Sequence, residues 1–167
     1  MQGICGTAGQ LKKIFKARPK QDGKLYFIRD FEWKIQNDKQ VSLKADFTYN
    51  YSSLRDNDSI VMNFTVLQNE SIRNIQQVAI INAADTIFSN HYSVRYFTEP
   101  EGDHWKNRHS VIVSRKGFYG LLKDASHSTL MLQYDGKRVF CKVPSKYARV
   151  YAAIYTIMTV ETQYPVQ

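Results

Sequence analysis

Disulfide staples are nearly absent from this chain: of 167 residues only Cys5 and Cys141 are cysteines, so at most one bridge can form. A cross-linked scaffold is therefore excluded. No Cys-x-x-Cys pair occurs, which removes the common thiol signatures of zinc and redox sites. Cys141 alternates with Val139 and Val143, the pattern of a small buried hydrophobe. Four prolines and eight glycines are too few for a low-complexity or fibrous chain. No apolar run approaches the roughly 18 residues of a bilayer-spanning helix, and the uncharged stretch from Val150 to Val160 is too short. The first ten residues lack the basic and apolar regions of an intact signal peptide. They read as the start of a chain whose leader has been removed, which suits an exported or periplasmic protein; otherwise the setting is cytoplasmic. The overall texture is that of small exported bacterial proteins, and no motif identifies a family. Phosphate-binding glycine loops and nucleophile elbows are missing as well, so no cofactor is implied and a catalytic role has no signature to rest on.

What the chain does contain is apolar and aromatic surface. Hydrophobic residues make up 43% and aromatics 13%, with 11 tyrosines and 9 phenylalanines, enough for one domain with a core of its own. The aromatic excess favours pleated, half-buried surfaces. The net charge of +8 permits attraction to a polyanion without selecting one. Much of it is N-terminal: Lys12, Lys13, Lys16, Arg18, Lys20 and Lys24 meet only Asp22 between residues 10 and 24. Residues 1–23 read as a basic arm, with Leu11, Ile14 and Phe15 forming a short amphipathic turn, and residues 24–167 as a single β-rich domain.

Alternation organises the first half of that domain. Leu25, Phe27, Phe31, Trp33 and Ile35 share one side of a long strand, where Arg29 calls for a bend, a bulge or a paired charge. Val41, Leu43, Ala45, Phe47 and Tyr49 give the cleanest half-buried strand, and Ile60, Met62, Phe64 and Val66 a third. Short polar loops between them predict an antiparallel meander. Further strands are expected at Val78–Ile81, around Tyr92, Val94 and Tyr96, and at Val111–Val113, with a short helix over Phe118–Leu122. Residues 69–77 suit a turn of helix, and Thr98–Arg108 reads as a polar loop.

The segment Thr129–Met158 is the firmest. Asp135-Gly136 accepts the positive φ angles of a type I′ turn, so the hairpin should pair Leu132 with Val139, Leu130 with Cys141, Met131 with Phe140 and Gln133 with Arg138. Pro144 ends the strand and Ser145 is placed to cap a helix over about 146–159. Its stripe is Tyr147, Val150, Tyr151, Ile154, Ile157 and Met158. The expected fold is α+β: an antiparallel β-meander forming a curled sheet, small sandwich or open barrel, with this C-terminal helix on one face.

Two stretches concentrate functional groups. Between Glu99 and His109 lie Asp103, His104, Trp105 and His109; a metal site would need Asp103, His104 and His109 to converge. The plainer reading is an exposed polar hairpin loop. Arg138 and Lys142, with Lys137, Lys146 and Arg149 nearby and Tyr134 and Phe140 between, resemble a basic and aromatic surface for a polyanion. The plainer reading here is a charged edge that prevents sheet-to-sheet association. Four Asn-x-Ser/Thr triplets begin at Asn50, Asn57, Asn63 and Asn69. The resulting expectation is a non-catalytic binding or assembly module for a protein or small ligand. A metal-dependent or acid/base hydrolase built on residues 99–109 is one alternative, and a polyanion-binding protein the other. Oligomeric state is left open.

Overall fold

In the computed structural model, residues 2–38, 40–53, 59–73, 75–82, 86–89 and 94–165 are described. Three helices and eleven strands follow in the order α1 (Gln2–Ile14), β1 (Phe15–Lys20), β2 (Gly23–Ile28), β3 (Glu32–Ile35), β4 (Ser42–Ser52), β5 (Ser59–Gln68), β6 (Ile75–Ile81), β7 (Thr86–Ser89), β8 (Val94–Glu101), β9 (His104–Ile112), α2 (Arg115–Lys123), β10 (Thr129–Tyr134), β11 (Lys137–Lys142) and α3 (Ser145–Glu161). All eleven strands belong to one antiparallel sheet, nine of them in the order β7-β6-β10-β11-β3-β4-β5-β9-β8, with β2 and then β1 branching from β4. The sheet curls into a half-barrel with α3 packed on it, so the α+β expectation holds and its curled form is the one adopted. No helix of the described residues is long and apolar enough to cross a membrane.

The sheet forks at β4. β2 pairs with Phe47–Ser52 and β3 with Leu43–Lys44 on the same edge of that strand. From the fork β2 leads outward to β1, while β3 leads to β11. The break between them lies at Arg29, where the bend was expected, and the Arg29 amide donates to the Ile14 carbonyl at 2.8 Å. One expectation changes there. Tyr26 and Ile28, not Leu25 and Phe27, face the core in β2, whereas Phe31 and Trp33 face it beyond the break. Phe31 follows Ile28 at an odd offset of three positions, so the break shifts the two-residue period by one and reverses which set points inward.

Residues 11–20, read as one amphipathic turn, divide between the end of α1 and β1. Ile14 reaches the core at 6% exposed, and Phe15 stacks on Tyr26 with ring centroids 5.8 Å apart.

The meander expectation holds for β3, β4 and β5, whose inner residues are those alternation selected. Residues 69–73 carry no helix, and β6 begins earlier than expected, at Ile75. Tyr92 lies outside the described residues. Thr98–Arg108 is not a loop: β8 and β9 pair through it, and only Gly102-Asp103 remain as the turn, with Gly102 at φ +60°. A glycine at the first central position suits the two-residue turns that match strand twist. The polar residues read as loop because their partners are distant. Glu99 faces Lys106 across the hairpin, while Lys106 and Asn107 pair with Leu67 and Val66 of β5.

The β10–β11 hairpin has the expected register at every pair, and Asp135 and Gly136 take φ of 49° and 79°. The helix that follows differs at its start. Pro144 occupies the cap position and its carbonyl accepts from the amides of Tyr147 and Ala148, so Ser145 is the first helical residue and makes no capping bond. Pro144 already supplies the extended backbone of a cap, with φ −58° and ψ 144°. Side-chain capping occurs instead at α2, where Ser114 Oγ accepts from the Gly117 amide at 3.0 Å.

Aromatic rings fill the concave side. Tyr151 of α3 packs on Phe31 and Phe47, and Phe118 of α2 on Phe47 and Tyr49. Tyr147 and Ile157, expected in the buried stripe, are only partly covered, while Ala148 and Thr159 join it. The Tyr119 hydroxyl meets Thr162 Oγ1 at 2.5 Å, and Lys24 pairs with Glu161, which fastens the end of α3 to α2 and β2.

Candidate functional site

The β3–β4 connection and the strand ends around it create three adjoining clefts of about 540, 470 and 230 Å³, all of which include Val41 in their walls. The fork explains their position. β3 pairs with β4 only at Glu32 and Trp33, after which it turns to β11 and leaves a gap beside Ile35 and Val41. The largest cleft runs along β3 between Trp33 and Tyr147. Tyr147 stacks on Phe31 at 3.9 Å, and Lys146 lies 4.9 Å over its ring. Such a cation and aromatic pair can hold a flat group beside a charge.

The other two clefts are polar. Gln40 and Asn69 border both and bond to each other at 3.1 Å. Asp38 accepts from the Gln40 amide at 3.0 Å and pairs with Lys137. The Lys137 hydrogen bond holds the Asp38 carboxyl below its ordinary value. Deeper in, the Tyr134 hydroxyl donates to Gln68 Oε1 at 2.6 Å, and burial raises that phenol's pKa. The arrangement offers amide and carboxylate groups on one side and aromatic faces on the other.

Of the residues singled out in the sequence, His104 lines the cleft beside Glu32 and Gln40. Asp103 sits exposed at the hairpin turn, and Trp105 is 37% exposed. His109 is fully buried on the inner face, opposite Phe64. It lies five positions along the strand from His104, an odd offset that places the imidazoles on opposite faces and about 17 Å apart along the chain. Asp103, His104 and His109 do not converge, and among the described residues no group of three His, Cys, Asp or Glu side chains could hold a metal ion. Arg138 and Lys142 lie on the outer face and line none of the three clefts, while Lys137 points to Asp38, so the basic cluster divides as strand alternation expects. Cys141 is a free thiol that burial pushes up to about 12, a packing residue rather than a nucleophile. Of the glycosylation triplets, Asn57 lies outside the described residues and Asn63 is only 8% exposed, donating to Asp46.

Two residues escaped the sequence reading. Asn107 is fully buried; its Oδ1 accepts from the Ile72 amide at 2.8 Å and its amide lies near the Val66, Glu70 and Trp105 carbonyls. It fastens the β5–β6 connection that walls the polar cleft. Asp46 sits on the outer face, bonded to Asn63 and Arg108. Burial nevertheless holds its carboxyl above the ordinary value of 3.8, against the hydrogen bond from Asn63 and the Arg108 charge.

Comparison with known proteins finds no matching family model, no similar curated protein and no similar solved structure.

Proposed function

We propose that this protein is a non-catalytic binding module that holds a small polar ligand in the clefts around Val41. The convergence of all three clefts on that residue is the observation that carries the reading. Their volumes lie near the range of ordinary ligand sites, and a few oriented polar groups beside aromatic walls are what such sites use for specificity. The Trp33 and Tyr147 side would take the flat or apolar part of the ligand. Gln40, Asn69 and Asp38 would take its hydroxyl or amide groups.

Saturation-transfer NMR with mixtures of monosaccharides, nucleosides and amino acids tests this. Binding by the intact protein is expected, and Asn69→Trp should abolish it, because Asn69 is exposed and borders two of the clefts. Binding that survives in Asn69→Trp, or chemical conversion of the bound compound, overturns the reading.

A further inference from the structure

We infer that the outer face of β11 and β3 binds a single-stranded nucleic acid through Lys34, Lys142, Arg138 and Phe140. Lys34 borders the largest cleft, whereas Arg138, Phe140 and Lys142 line none of the three, so the strip extends beyond the proposed ligand site.

Across β3–β4, β4–β9 and β8–β9, outer-face charges meet opposite ones. Glu32 faces Lys44, Glu99 faces Lys106, and Asp46 bonds Arg108. At the β3–β11 junction the rule reverses, because Lys34 lies directly opposite Lys142. It is the only Lys–Lys or carboxylate–carboxylate pair across the described ladders. Directly opposed like charges repel, so an anion seated between the two ammonium groups removes a repulsion as well as adding an attraction. Among the described residues no ion pair engages Lys34, Lys142 or Arg138.

Along β11 the outward residues are Arg138, Phe140 and Lys142, with Phe140 half-buried and Arg138 exposed. Alternate residues of a strand are about 6.8 Å apart, so cation, ring and cation follow at a step similar to the repeat of an extended nucleic-acid strand. Asn37 holds this strip straight: its side chain donates to the Arg138 carbonyl at 2.9 Å and accepts from the Phe140 amide at 3.1 Å. A basic track with an aromatic platform is how sheets hold single strands without reading sequence. The half-exposed ring favours a nucleic acid over a sulfated polysaccharide, which has no base to stack.

The test is fluorescence anisotropy with a labelled oligothymidylate across a salt series. The intact protein should bind with log K falling linearly with log salt. Lys34→Gln with Lys142→Gln should weaken binding about tenfold and reduce the slope by about 0.7 for each lysine removed. Phe140→Ala should weaken the oligonucleotide about tenfold and leave heparin binding unchanged. Lack of binding, an equal effect of Phe140→Ala on heparin, or an affinity that instead follows Lys16→Gln with Arg18→Gln on β1 overturns the proposal. Circular dichroism of each variant separates loss of the site from loss of the fold.

Discussion

On the inner face of β4, Leu43, Ala45, Phe47 and Tyr49 are at most 1% exposed, while one residue away Lys44 is exposed and Asp46 and Thr48 are half-covered on the outer face. The strands are shared, and the two faces do different work. The inner face interdigitates rings with α2 and α3, where close packing makes every lost atom costly. The outer face carries charges in crossed pairs, where solvent makes each interaction small. Stability should therefore reside almost wholly in one face, leaving the other free to carry recognition.

The sharpest break of that contrast is Phe47→Ala, which should cost about 3–5 kcal/mol in urea unfolding, against roughly 0.5 kcal/mol for Thr48→Ala beside it. Comparable losses would mean that the outer face is covered by something that binds it. Next is Asn107→Ala, expected to cost about 1–3 kcal/mol by stranding the buried Ile72 amide, with faster hydrogen exchange at Ile72 as the local sign. An unchanged exchange rate would show that Asn107 does not anchor the connection.

Asp46 tests the outer face by pH. Its folded pKa is raised, so the folded state binds the extra proton. That contribution to stability is complete below the ordinary value of 3.8 and is lost as pH rises through the folded pKa. Asp22 and Asp38 behave oppositely: hydrogen bonds from Ser52 and Lys137 lower them, and their contributions disappear as pH falls through their folded pKa values. The melting temperature of Asp46→Asn relative to the parent should therefore rise with pH across the Asp46 titration; a constant difference would remove the buried-acid account. The smallest effect belongs to Lys34→Gln. Relief of repulsion from Lys142 should stabilise the protein by about 0.2–1 kcal/mol at low salt, and the gain should vanish as salt screens the pair.

Legibility followed the range of the forces. The β10–β11 register could be read because Asp135-Gly136 fixes it through backbone conformation within the turn itself. The strand at β4 could be read because one face meets core and the other solvent. β8 and β9 were missed in part because the polar residues of β9 are satisfied by β5, whose pairing partners lie 37 or more residues away, and no local pattern announces them. The capping role assigned to Ser145 failed for a local reason, since Pro144 could hold the same position. Among the candidate site residues, His104 was brought to a cleft and His109 to the core, although both read as members of one polar loop.

By itself, then, the sequence determined the strand alternation, the hairpin turn and the helix that closes the core, because those rest on backbone preferences and on the two-residue and 3.6-residue periods. Only the tertiary structure decided which side of β2 faces inward, where β4 forks to open the clefts, and that Lys34 stands opposite Lys142. Each of these depends on a break or a pairing between residues far apart in the chain, and a periodic pattern carries no record of which partner it will meet.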